Sequence, residues 1–104
     1  MLVYELVKEY IPNKTCIKEK ENGGFLIVSS PTLDVYYFNN TAKDFYQAID
    51  GKRTVSDIVD YLLDEYDVKK DVLIRDFVNV LRDFQWKQLV VLERMIWNEE
   101  VWKS

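Results

Sequence analysis

Hydrophobic positions follow two different rhythms along this chain. Through residues 15–38 they alternate with polar ones or gather in short runs between turn formers, and from residue 41 onward they recur every three or four positions. The first rhythm predicts strands. Residues 15–20 alternate, Asn22-Gly23-Gly24 supplies a hairpin turn, and Phe25-Leu26-Ile27-Val28 is a short aromatic and β-branched run. A Ser29-Ser30-Pro31 turn leads to a third strand over Leu33, Asp34, Val35, Tyr36, Tyr37 and Phe38. Alternation there sends Tyr36 and Phe38 to the core and Val35 and Tyr37 to the other face.

The second rhythm predicts helices. Ala42, Phe45, Tyr46 and Ile49 share one face, with N-cap candidates at Asn39, Asn40 and Thr41, Asp44 three residues after Thr41, and a stop at Gly51. A second helix opens at Thr54 with Asp57 three residues on, as in a capping box. Its stripe is Val55, Ile58, Val59, Leu62, Leu63 and Tyr66, and Asp57, Asp60 and Asp64 lie opposite. A third helix covers residues 69–88, with Leu73, Phe77, Val80 and Phe84 as its core stripe. Ile74, Val78 and Leu81 widen that stripe to roughly 160° of arc, more than one packing face needs. Val90-Val91-Leu92 reads as a short strand, and Ile96, Trp97, Val101 and Trp102 as one face of a C-terminal helix. Residues 1–10 are unassigned, with an extra strand as one reading.

Three strands, three helices and a last short strand give an α+β fold of the winged helix-turn-helix kind, an N-terminal three-stranded antiparallel sheet packed on a three-helix unit. The expected domain is residues 1–92, with 93–104 as an aromatic helical tail. At 104 residues the chain is one domain. Met1 and the short tail favour a free-standing protein over a piece of a larger enzyme.

Composition then narrows the chemistry. Histidine is absent, and Cys16 is the one cysteine. The usual general base, the usual metal ligands and any internal disulfide are therefore excluded. Three glycines, at positions 23, 24 and 51, build no phosphate-cradling loop. The expectation is a binding module with no catalytic residue, metal or cofactor. No apolar run reaches membrane-spanning length and no basic, small-residue-terminated leader opens the chain, so a cytoplasmic, non-membrane protein is expected.

One stretch is more specific. Tyr37-Phe38-Asn39-Asn40-Thr41-Ala42 leads through Phe45 and Ile49 to Asp50-Gly51-Lys52-Arg53-Thr54-Val55. Asp57-Ile58-Val59 and Glu65-Tyr66-Asp67-Val68 follow. Over residues 15–92 this resembles the PqqD family, whose members recognise the leader segment of ribosomally made precursor peptides. The resemblance implies two partners: a precursor leader peptide, and a maturation enzyme (a radical SAM enzyme, a cyclodehydratase or a leader peptidase). The leader would add as a strand to Leu33, Asp34, Val35, Tyr36, Tyr37 and Phe38, and lie against Lys70, Ile74, Val78, Leu81 and Arg82 of the third helix. Ile74 and Val78 have an alternative as plain core. Lys69 and Lys70 depart from the family's acidic helix start. They would attract an acidic leader, or else are solvated surface lysines.

Two rivals stand beside this. A DNA-binding winged helix would read with the third helix, where residues 69–87 hold five basic and three acidic residues. Residues 54–68 hold five acids and no cation, though, and that preceding helix would have to cross the phosphate backbone. No nucleic-acid partner is therefore expected. A structural or dimerisation domain is the other rival, and self-association is left open.

Overall fold

A computed structural model describes residues 3–93. The element order is α1 (Val3–Val7), β1 (Ile11–Lys14), β2 (Lys18–Asn22), β3 (Phe25–Ser29), β4 (Val35–Phe38), α2 (Asn40–Gln47), α3 (Val55–Glu65), α4 (Lys70–Trp86) and β5 (Val90–Glu93). Strands β2, β3 and β4 form an antiparallel sheet in that order, and β1 pairs antiparallel with β5 in a second, two-stranded sheet. The class is α+β, with the expected antiparallel meander and three main helices.

The N-terminal region differs from expectation. Residues 3–7 are helical, and residues 11–14, to which the hydrophobic pattern assigns no element, form β1. Pro12 pairs with Leu92 in a ribbon whose two strands are both edges, where a missing N–H is tolerated. The strand expected over 15–20 begins at Lys18. Thr15 is tied to the other sheet, donating its N–H to the Leu89 carbonyl at 3.0 Å and its hydroxyl to the Gln88 carbonyl at 2.8 Å. The chain crosses between sheets there, and Ile17 N–H first reaches Ser29 at 2.9 Å. Glu93, expected to open the tail, closes β5, and the proposed helical tail beyond it lies outside the described residues.

The helices keep most of their expected punctuation. Thr54 and Asp57 form the reciprocal capping box of α3, at 3.0 and 3.1 Å. At α2 the cap is Asn39 rather than Thr41, and Asp44 accepts from the Tyr66 hydroxyl at 2.6 Å instead of closing a box. Helix α2 ends at Gln47 with Ala48 as its C-cap, three residues before Gly51. Gly51 instead sits at φ 77° in the turn that follows, where a Cβ would lie 2.9 Å from the Asn13 Oδ1.

The core is one cluster joining all layers. Leu26 and Val28 of β3 face Phe45 and Tyr46 of α2, Ile58 and Leu62 of α3, and Phe77, Leu81 and Phe84 of α4. Phe38, Tyr46 and Phe84 form a triangle of rings with centroids 5.0–5.8 Å apart. The Tyr46 hydroxyl donates to the Leu89 carbonyl at 2.9 Å, which satisfies the one polar atom this ring buries. Burial pushes that phenol well above its ordinary pKa.

Candidate functional site

Strand β4 is an edge: β3 occupies one side and no strand of the described residues occupies the other. The tight turn before it fixes which main-chain groups point outward. Ser30 N–H donates to the Asp34 carbonyl at 2.9 Å, so Asp34 faces β3. Main-chain direction alternates along an antiparallel strand. Tyr36 and Phe38 therefore also bond β3, and the N–H and C=O groups of Val35 and Tyr37 face the open side. Their side chains lie on the outer face, half or more exposed, whereas Phe38 is buried and Tyr36 half-buried. The alternation matches the sequence expectation.

Leu33 and Asp34 do not belong to the strand. Leu33 adopts φ 69° in the turn, its N–H bonded to the Ser30 carbonyl at 2.9 Å. Asp34 N–H bonds the Ser30 hydroxyl at 3.2 Å, and its carboxylate accepts from Thr32 at 3.0 Å. Ser30 is fully buried and organises this turn, so the free edge is four residues long.

The helix opposite the edge is α4, but the side it presents is not the one expected. Phe38 packs on Phe84 at 5.1 Å, and the Lys87 ammonium lies 5.2 Å from the Tyr36 ring centroid while pairing with Asp83. At about 100° per residue, Val80 and Phe84 lie within about 60° of Lys87 around the axis. Ile74, Val78, Leu81 and Arg82 lie about 120–180° away from it. Val78 and Leu81 are 7% and 1% exposed and belong to the core, and Ile74 is half-buried against it. Arg82 is exposed on a different side, with no ion pair among the described residues. Lys70 pairs with Asp60 of α3 at 3.5 Å, about 25 Å of helix axis from Lys87. These five residues are not brought to β4. The side of α4 turned toward β4 carries half-buried Val80 and fully buried Phe84, with half-buried Lys87 at the helix exit. Val80 and Phe84 read as plain core in the sequence, and Lys87 gave no signal of its own. Counting helical angle from Phe84 would have found the flank, had the position of β4 been known.

The arrangement is that of a short open ladder beside the Tyr36 ring and the Lys87 ammonium, suited to accepting an extended segment through main-chain bonds. No reactive constellation accompanies it. Among the described residues no group of three or more His, Cys, Asp or Glu side chains could hold a metal ion, and no helix is long and apolar enough to cross a membrane. A separate cavity of about 150 Å³ lies between α2 and α3, lined by Asp44, Tyr61, Glu65 and Tyr66 among others. Burial first, and then the Asp44 carboxylate, pushes the Tyr66 phenol up to about 12. At that volume the cavity has room for a few waters and not for a peptide.

A family model described as "Coenzyme PQQ synthesis protein D (PqqD)" matches residues 24–90, more than half of the chain. The match runs from the hairpin before β3 to the first residue of β5. No curated protein and no solved structure matches the chain.

Proposed function

Because the chain belongs to the PqqD family, we propose that it binds the leader segment of a ribosomally made precursor peptide as a strand added to β4, and presents it to a maturation enzyme. Membership carries a role in the biosynthesis of coenzyme PQQ or a comparable peptide-derived product, and with it a peptide and a biosynthetic enzyme as partners. In this reading the protein supplies binding and no chemistry, in the cytoplasm where the precursor is made. In the same reading, α3 and α4 are taken as the helix pair of a winged helix and the β1–β5 ribbon as its wing.

The observation that carries the proposal is the open side of β4, where the main-chain groups of Val35 and Tyr37 have no strand partner among the described residues. Beside it, the Tyr36 ring and the Lys87 ammonium would meet alternate side chains of the incoming strand. Main-chain bonds give general affinity, and those side-chain contacts give choice. The exposure of Asp57, Asp60 and Asp64 along α3 weighs against a duplex docking there.

The test is a titration of isotope-labelled protein with leader peptides encoded beside its gene. Saturable amide shifts are expected at Val35 and Tyr37 and around Val80 and Lys87, with little change at Lys70, Ile74 and Val78. N-methylation along the peptide should weaken binding at every second position only, because alternate N–H groups point to β4. Uniform sensitivity to N-methylation, or shifts confined to the Ile74–Val78 flank, would falsify strand addition.

A further inference from the structure

The outer face of the three-stranded sheet carries no covering layer among the described residues; α2 packs on the inner side of β3. Strand register puts four apolar side chains together on that outer face. Ile27 lies directly opposite Tyr37, Phe25 meets the Tyr37 ring edge-on at 6.5 Å, and Val35 lies along the same side. Phe25, Val35 and Tyr37 are 43%, 51% and 65% exposed. Beside them runs β2, whose sequence Lys18-Glu19-Lys20-Glu21 sorts charge by face. Glu19 pairs with Lys14 at 3.0 Å and Glu21 with Lys43 at 2.5 Å. Lys18 and Lys20 are exposed on the outer side, with no ion pair among the described residues. In a chain of net charge −4 this face is apolar at its centre and positive along its β2 edge.

We propose that this face docks the biosynthetic enzyme, through a contact surface on that enzyme that is apolar with an acidic rim. The partner's identity rests on the function proposed above; the face itself does not. Charge decides between occupants. A second copy stacked β2 over β2 would set lysines against lysines, and one stacked β2 over β4 would set them over Val35–Phe38, which carries no carboxylate. Residues 94–104 carry two basic and two acidic residues and offer the face no net complement. A peptide added at the β4 edge would leave the face free, so peptide and enzyme can be held together.

The experiment measures binding of the purified modification enzyme encoded beside the gene to the full chain, with leader affinity measured in parallel. The double variant Lys18→Glu/Lys20→Glu should weaken enzyme binding about tenfold at low salt and flatten its salt dependence. Phe25→Ser should weaken it at any salt, and both variants should keep wild-type leader affinity. Enzyme affinity unchanged in both variants overturns the docking face and leaves the peptide reading standing. Wild-type protein that binds enzyme through these residues but binds no leader overturns the peptide reading and leaves the face standing. A dimer abolished by Phe25→Ser, or contacts from residues 94–104 to Phe25 in the enzyme-free chain, would assign the face to those occupants instead.

Discussion

Phe84 is where the candidate site and the core are the same object. It is fully buried, touches Phe38 of the edge strand at 5.1 Å and Tyr46 at 5.0 Å, and stands one turn before Lys87. A leader strand added to β4 would lie against a strand that this ring holds to the helix. Phe84→Ala should therefore cost about 3–5 kcal/mol in urea unfolding, because it removes a ring from a packed triangle and leaves a cavity. A loss below about 1 kcal/mol would mean the triangle is not packed as described. At this scale the sequence was readable where a residue answers to its neighbours. Thr54 and Asp57 announce their box because both partners lie within one turn. Leu33 was misread because nothing adjacent shows that it takes the left-handed backbone demanded by the turn around Ser30.

Between elements, the turn linking α2 to α3 is held by the Asp50 carboxylate and by the Arg53 guanidinium, which donates to the Ala48 carbonyl at 2.9 Å. Asp50 accepts the backbone N–H of Lys52 at 2.9 Å and of Arg53 at 3.0 Å. Those bonds, with Arg53 alongside, hold its pKa below the usual carboxylate range. A pKa lower in the folded than in the unfolded state gives stability that is present above the unfolded value, about 3.9. It is lost as pH falls through the folded value. Asp50→Asn should therefore be less stable than wild type at pH 7, and the gap between the two unfolding curves should shrink as pH falls below the unfolded value. A gap independent of pH would show that the charge contributes nothing. The wall opposite β4 was legible only in part for a related reason. Periodicity identified α4 and its wide apolar arc, but which edge of that arc meets the sheet depends on where α2 delivers the chain. The arc side chosen from sequence, Ile74, Val78 and Leu81, faces the interior.

For the molecule as a whole, the fold class and the meander were legible, and the closure of the chain on itself was not. Strands β1 and β5 are four residues each and lie at opposite ends of the described sequence, with Ile11 opposite Glu93 and Lys14 opposite Val90. No local pattern can report a partner that distant. The link from α1 into the ribbon also anchors the start of α3, since the Lys8 and Tyr10 carbonyls accept N–H bonds from Ser56 and Val55 at 2.9 Å. Bringing such remote segments together carries a loop-closure entropy that the contiguous hairpins β2–β3 and β3–β4 do not bear. The ribbon should therefore assemble last and open first. In native-state hydrogen exchange, the ladder amides of β1 and β5 should exchange through openings smaller than global unfolding, while those of β3 and the middle of α4 exchange only with it. Equal protection across both sheets would make the chain a single cooperative unit. Otherwise the protein has a breathing collar around a rigid centre, and the β4 edge belongs to the part that stays shut.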